Sequence, residues 1–295
     1  MEYLIKTKRL GRKENNPLPS KEDNWIIRGI MYGAVIGDII GSTYEWHNVK
    51  HEDFELFPSG SRFTDDTVLT VAVADKILNQ DKSSVGSRKS YALWYQQYYK
   101  RYPAAGFGQM FSEWAVRDNI SVQRSFDNGA AMRVSAIGYA FDTSKEVLSE
   151  VKKSCFYTHN HPEAIAGASA IALAIFLARH DYSKDEIQKQ ITKQFKYNMD
   201  FALDDIRDDY IFYSSSSYSF PPAIKAFLES DSYEDAILKA ISIGGDSDTI
   251  ACMAGGIAQA FYKTIPDEIL SKGKALLDVG LKNVLNEFNE KYNIG

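Results

Sequence analysis

Apolar residues recur at helical spacing along most of this chain. Between Val68 and Leu78 they cover most of the helix circumference, the pattern of a helix buried on nearly all sides. The same spacing, or a recognisable start and stop, predicts helices at 26–42, 64–80, 89–100, 130–141, 145–155, 162–179, 183–195, 221–229, 233–242, 249–262 and 266–288. No convincing pair of strands appears. Gly, Asn, Asp and Ser collect in the connections GSRFTDD, SFDNGAA, THNHP, YSSSSYSFPP and SIGGDSDT. With no tandem repeat and no linker, residues 26–295 are expected to form one compact all-α, multi-helix domain.

Residues 1–25 differ from the rest. They hold six basic and four acidic residues, two prolines and no apolar stretch of the kind a secretory signal needs. They are read as an N-terminal arm that either trails in solvent or docks on a partner or across a cleft. Over the whole chain, 34 basic against 39 acidic residues leave a net charge of −5, so bulk attraction to nucleic acid or to an anionic membrane is not expected. Cys155 and Cys252 stand alone, without a zinc ligand set or a disulfide framework, which fits a reducing, cytoplasmic setting. The longest apolar run, residues 164–178, is 15 residues long and carries Gly and Ser. It is short for a membrane span and reads as a buried core helix.

The polar positions that break this pattern carry the chemistry. Asp65 and Asp66 stand side by side after Thr64, at the entrance of the apolar helix. Thr64 is a good N-cap, and one acid would complement the helix dipole. Two carboxylates at a buried helix end repel unless a proton or a cation neutralises them. The segment SIGGDSDT repeats the arrangement: Asp246 and Asp248, then Thr249, precede a second apolar helix. Its two glycines allow a sharp turn, and the D-x-D spacing can aim both acids at one point. The two segments together offer four carboxylates and two hydroxyls, the all-oxygen donor set that hard cations prefer. Upstream, Gly33, Gly37 and Gly41 fall on one helix face and allow close packing, while Asp38 and Glu45 lie at its end. Asn128-Gly129 forms a turn whose free N–H groups can cradle an anion.

GDIIGSTYE, FTDDT, NGAAMR, THNHPEA and GGDSDT, in this order, resemble the ADP-ribosylglycohydrolase family, from about Ile26 to about Pro266. The resemblance implies an all-helical fold with a dinuclear metal site in a central cleft, and two divalent cations, Mg²⁺ first and Mn²⁺ second. It implies removal of ADP-ribose from a modified protein side chain, arginine foremost, by cleavage at C1 of the distal ribose. Carried over by position, Thr64, Asp65, Asp66, Asp246, Asp248 and Thr249 are the implied metal ligands, and Glu45, then Asp65 or Asp66, the implied catalytic carboxylates. Ser125, Phe126, Asp127, Asn128, Gly129 and Ala130 match the segment around the diphosphate, and His159 a histidine on the adenosine side. Asp127, where many relatives have glycine, and the serine run Ser214 to Ser217 depart from the pattern. Two other readings use the same scaffold: a protein that recognises ADP-ribose or blocks an ADP-ribosyltransferase through its arm, and a two-metal phosphoryl hydrolase.

Overall fold

The computed structural model describes residues 31–79 and 88–292. The proposed arm, the start of the helix expected from residue 26 and Gln80 lie outside them. Among the described residues, fourteen α-helices follow one another: α1 (Tyr32–Gly41), α2 (Asp65–Leu78), α3 (Arg88–Arg101), α4 (Gln109–Ala115), α5 (Ser135–Ala140), α6 (Ser144–Cys155), α7 (Pro162–Arg179), α8 (Lys184–Phe195), α9 (Leu203–Arg207), α10 (Ser216–Glu229), α11 (Tyr233–Ser242), α12 (Ser247–Tyr262), α13 (Asp267–Ala275) and α14 (Val279–Tyr292). Among those residues the only extended pairing is two isolated bridges, Arg124 with His159 and Asp127 with Ser215. The fold is all-α.

The centre of the fold is an antiparallel pair, α1 against α12. A Cβ at Gly33 would lie 2.5 Å from the Gly255 carbonyl oxygen, at Gly37 2.2 Å from that of Ala251, and at Gly41 2.5 Å from the Asp248 Cα. The glycine face therefore meets backbone, joined at Gly33 by the Gln259 side chain, and no larger residue fits there. Tyr233 of α11 donates to the Gly33 carbonyl at 2.8 Å, and the Gly33 amide donates to Gln259 of α12 at 2.6 Å. Helix α7, the apolar run of the sequence, packs against α5, α6, α10 and α12, and most of its residues are buried. It is long and apolar enough to cross a membrane, but 72% of it is covered by protein.

Three expected elements differ from the structure, and two short helices are not among those expected. The helix expected at 130–141 is split into a 3₁₀ turn, Asn128–Ala130, and the short α5. The Met132 carbonyl, which a continuous helix would use for its own bond, accepts from Thr70 Oγ1 at 3.2 Å and from Cys252 Sγ at 3.4 Å. The helix expected at 266–288 breaks between α13 and α14, where Asp278 accepts from the Leu281 amide at 2.9 Å and restarts it. Helix α10 begins at Ser216, ahead of Pro221, so part of the expected serine loop is helical. Pro222 cannot donate to the Tyr218 carbonyl, and the Tyr210 hydroxyl takes that place at 2.9 Å. Two short helices, α4 and α9, carry too few residues to show a period.

Gly37→Ala places a methyl against the Ala251 backbone and is expected to destabilise the protein by about 2 kcal/mol, overpacking outweighing the gain in helix propensity. Chemical denaturation checks this against Gly108→Ala, where an added Cβ meets nothing within 4 Å and stability should stay within about 0.5 kcal/mol.

Candidate functional site

The glycine seam brings the end of α1 to the start of α12, and α2 begins beside both. Asp38, fully buried in α1, ties α2 down: its Oδ2 accepts from the amides of Thr64 and Thr67 at 2.9 and 3.0 Å, and its Oδ1 from the Thr64 hydroxyl at 2.6 Å. The Thr67 hydroxyl adds a further bond to Oδ2. Three of these four bonds fall on Oδ2 and one on Oδ1. Thr64 is the N-cap of α2, with its hydroxyl accepting from the Asp66 amide at 3.3 Å. Asp66 then points toward α12, where the Thr249 hydroxyl donates to its Oδ2 at 3.3 Å.

The start of α12 is shaped by Gly244 and Gly245, whose φ angles of +70° and +76° favour glycine. The turn they make is held by Asn48, which accepts from the Gly245 amide at 2.7 Å. Asp246 follows as the N-cap residue, but its side chain does not cap the helix. It accepts instead from the Asn128 side-chain amide at 2.7 Å. Ligand oxygens of Asp38, Asp66 and Asp248 lie within 4.8 Å of one another, as do those of Glu45, Asp246 and Asp248. Asp66, Asp246, Asp248 and Glu45 thus converge, while Asp65 lies outside both groups.

This convergence is costly without a counter-charge. Two carboxylates 4.8 Å apart repel by roughly 3 kcal/mol at an effective dielectric constant of about 20. A few such pairs match the whole stability of a domain, about 5–15 kcal/mol. Burial first, then the neighbouring acids, pushes Asp65 up to about 8 and Glu45 up to about 7. The same causes hold Asp66 and Asp248 well above the carboxylate range, while burial raises Asp246 against the hydrogen bonds of its neighbours. Asp66 Oδ1 is buried and has no hydrogen-bond partner. An orphaned oxygen among crowded carboxylates and two threonine hydroxyls is a donor set that fits a hard divalent cation.

The acids open into a cleft of about 540 Å³. Of the residues singled out in the sequence, Glu45, Thr64, Asp65, Asp66, Ser125, Asp127, Asn128, Gly129, His159, Asp246, Asp248 and Thr249 line it. Phe126 and Ala130 do not: Phe126 is exposed with its ring against His161, and Ala130 is buried in the 3₁₀ turn. Asn128, expected in an exposed turn, is buried and braces both Asp246 and Ser219. His161 caps α7, accepting from the Glu163 amide at 3.3 Å, whereas His159 faces the cleft. Asp127 caps nothing. Its oxygens accept from Ser125 at 2.9 Å and Ser214 at 3.0 Å, and the chain pairs on either side, Asn128 N–H to Ser214 O at 2.8 Å and Ser216 N–H to Phe126 O at 3.0 Å. The two departures noted in the sequence are one structural unit.

Sequence reasoning missed part of the wall. Trp46 and Phe212, both exposed, stack at 6.3 Å and 19° at the cleft, and Arg62, Gln123 and Met132 also line it. They belong to connections whose meeting has no periodic signal.

A family model described as ADP-ribosylglycohydrolase matches residues 19–292. The chain is 26% identical to the ADP-ribosylhydrolase ARH3 of Mus musculus, over 80% of this chain and 83% of that one. It is also 26% identical to the ADP-ribosylarginine hydrolase Tri1 of Pseudomonas putida (strain GB-1), over 80% of this chain and 70% of that one. A solved structure described as an ADP-ribosylglycohydrolase-related protein complex matches with a TM-score of 0.67, covering 90% of this chain and 96% of that one at 19% identity, a likeness of fold.

Two outcomes follow from the geometry. An acid whose pKa is higher folded than unfolded holds extra protons in the folded state, so its contribution is fully present below the unfolded value, about pH 4, and is lost as pH rises through the folded value. With Glu45 at about 7 and Asp65 at about 8, the melting temperature in EDTA should fall between about pH 4 and pH 8. Added Mg²⁺ should flatten that fall, as thermal scans at several pH values will read. Asp127→Gly removes one side-chain hydrogen bond to Ser214 and one to Ser125 and should cost about 1–3 kcal/mol in chemical denaturation.

Proposed function

The chain belongs to the ADP-ribosylglycohydrolase family and is a glycohydrolase that removes ADP-ribose by hydrolysis, and from this premise we propose that it acts on an ADP-ribosylated protein arginine with two divalent cations bound among its clustered acids. The observation that carries the reading is the meeting of carboxylate oxygens of Asp66, Asp246 and Glu45 around Asp248, with a buried, unpartnered oxygen on Asp66. Thr64, Asp65, Asp66, Asp246, Asp248 and Thr249 would hold the ions, Mg²⁺ as first choice and Mn²⁺ as second. When bound, they supply neutralising charge and Lewis-acid polarisation of ligand oxygens, which fixes the ribose. The arginine target is supported by the Pseudomonas putida relative, whose name states that activity.

Each wall of the cleft has a task in this reading. The bond at C1 of the distal ribose breaks through an oxocarbenium-like state: water adds to C1, and the guanidine nitrogen leaves with a proton. Glu45, half-buried at the edge of the acidic cluster, takes the proton of the attacking water and steadies the positive charge at C1. Burial first and the charge of Asp246 second raise its pKa, so neutralising Asp246 would lower it toward its ordinary value. Asp38 does not bind ligand here. Thr64 and Thr67 give its carboxylate four hydrogen bonds, through which it holds Asp65 and Asp66 in place.

The test incubates the protein with arginine-, serine- and nucleic-acid-linked ADP-ribose, with and without EDTA, and identifies the products. Intact ADP-ribose from the arginine conjugate, lost with EDTA, is expected; release of AMP would instead mark a phosphoryl hydrolase. Glu45→Gln should keep the fold and lose about 10²–10⁴ in rate. Calorimetry should show Mg²⁺ binding weakened in Asp66→Asn and Asp248→Ala, and unchanged binding in both would remove the metal assignment.

A further inference from the structure

Behind the cleft wall lies a buried cation that the proposed chemistry does not use. Arg133 is fully buried, its guanidinium sits 4.1 Å above the Tyr95 ring, and it forms no ion pair among the described residues. Its Nε and Nη1 have no hydrogen-bond partner. Its Nη2 donates to the Thr158 hydroxyl oxygen at 2.7 Å, with a longer contact to the Ser154 carbonyl at 3.4 Å. Thr158, also buried, has a second partner in His159 Nδ1 at 2.9 Å. At its other edge, the His159 ring presents Nε2 beside Gly129, where an added Cβ would lie 3.1 Å away.

The direction of each bond follows from which atoms carry hydrogens. A guanidinium only donates, so the Thr158 oxygen accepts from Arg133. The single hydroxyl hydrogen of Thr158 must then find an acceptor in a buried place, and the lone pair of His159 Nδ1 is the acceptor within reach. A neutral imidazole that accepts at Nδ1 carries its hydrogen on Nε2. Burial, and then the charge of Arg133, hold the His159 pKa well below its ordinary value, so the ring stays neutral.

We infer that Thr158, anchored by Arg133, is a positioning residue that locks His159 in its Nε2–H tautomer, so that the wall beside Asn128 and Gly129 offers a neutral hydrogen-bond donor to the diphosphate of the ligand. The ligand side of this inference rests on the reading of the cleft as an ADP-ribose site; the tautomer does not. In the opposite tautomer Nε2 would turn a lone pair toward phosphate oxygens, exchanging an attraction for a repulsion. Gly129 completes the arrangement, because a side chain there would crowd the Nε2 edge.

Long-range proton–nitrogen correlation spectra of the ¹⁵N-histidine-labelled full chain read the tautomer without any ligand. Wild-type protein should show His159 protonated at Nε2 alone. Thr158→Val removes the donor to Nδ1 and should populate the Nδ1–H form, and Thr158→Ser should restore the wild-type spectrum. ADP-ribose affinity by calorimetry should fall about tenfold in Thr158→Val, the worth of one hydrogen bond to a charged group, and recover in Thr158→Ser. Wild-type His159 protonated at Nδ1, or a folded Thr158→Val variant with wild-type tautomer and affinity, would overturn the inference. Should wild-type protein show the Nε2–H form yet bind no ADP-ribose, the positioning role stands and the reading of the ligand fails.

Discussion

Contact of backbone with backbone between α1 and α12 decides where every acid of the cleft can stand. Glycines at positions 33, 37 and 41 let the two helices approach until a single added carbon would fall 2.2–2.5 Å from main-chain atoms. Because the helices run antiparallel, the end of one meets the beginning of the other. Asp38 and Glu45 leave α1 at the place where Asp246 and Asp248 enter α12. Helix α2 is then attached by the four hydrogen bonds from Thr64 and Thr67 to Asp38. A wider helix pair would separate these groups by several ångströms, and the all-oxygen donor set would not exist.

The arrangement concentrates negative charge where water is scarce, and the fold counters only part of it. Thr249 and Asn128 donate to Asp66 and Asp246, while Asp66 Oδ1 is left with no partner. A buried acid away from the cleft is treated differently. Glu150, also buried, is paired with Lys76 at 2.9 Å and Lys153 at 2.7 Å and accepts from Tyr91 at 2.9 Å. Its pKa is lowered despite its burial. The contrast separates a carboxylate that the chain satisfies by itself from a group of carboxylates left for a cation.

On the opposite wall the cleft is built from connections tied to one another. Asp127 and Ser214, both departures from the family pattern, are partners, and the segment around them pairs as a short extended bridge. Asn128 links this wall to the acidic cluster through its hydrogen bond to Asp246. The same loop carries Gly129, against which His159 rests.

The sequence by itself determined the all-α class, most helices, the close-packing glycine face, the two acid pairs with their threonines and the family. Each of these depends on spacing within one segment: helical period, caps and adjacent acids are local properties that a linear reading can see. Tertiary structure decided the rest. Asp38 became the clamp on α2, Asn128 a brace on a residue 118 positions away, and Asp127 a partner of Ser214 rather than a helix cap. Packing also interrupted the helix expected at 130–141 by drawing the Met132 carbonyl to Thr70 and Cys252. It carried α10 through two prolines by giving the freed Tyr218 carbonyl the Tyr210 hydroxyl. In each case a hydrogen bond was claimed by a residue distant in the chain, and local propensity yields to such a bond because a buried polar group left unpaired costs more than the local preference is worth.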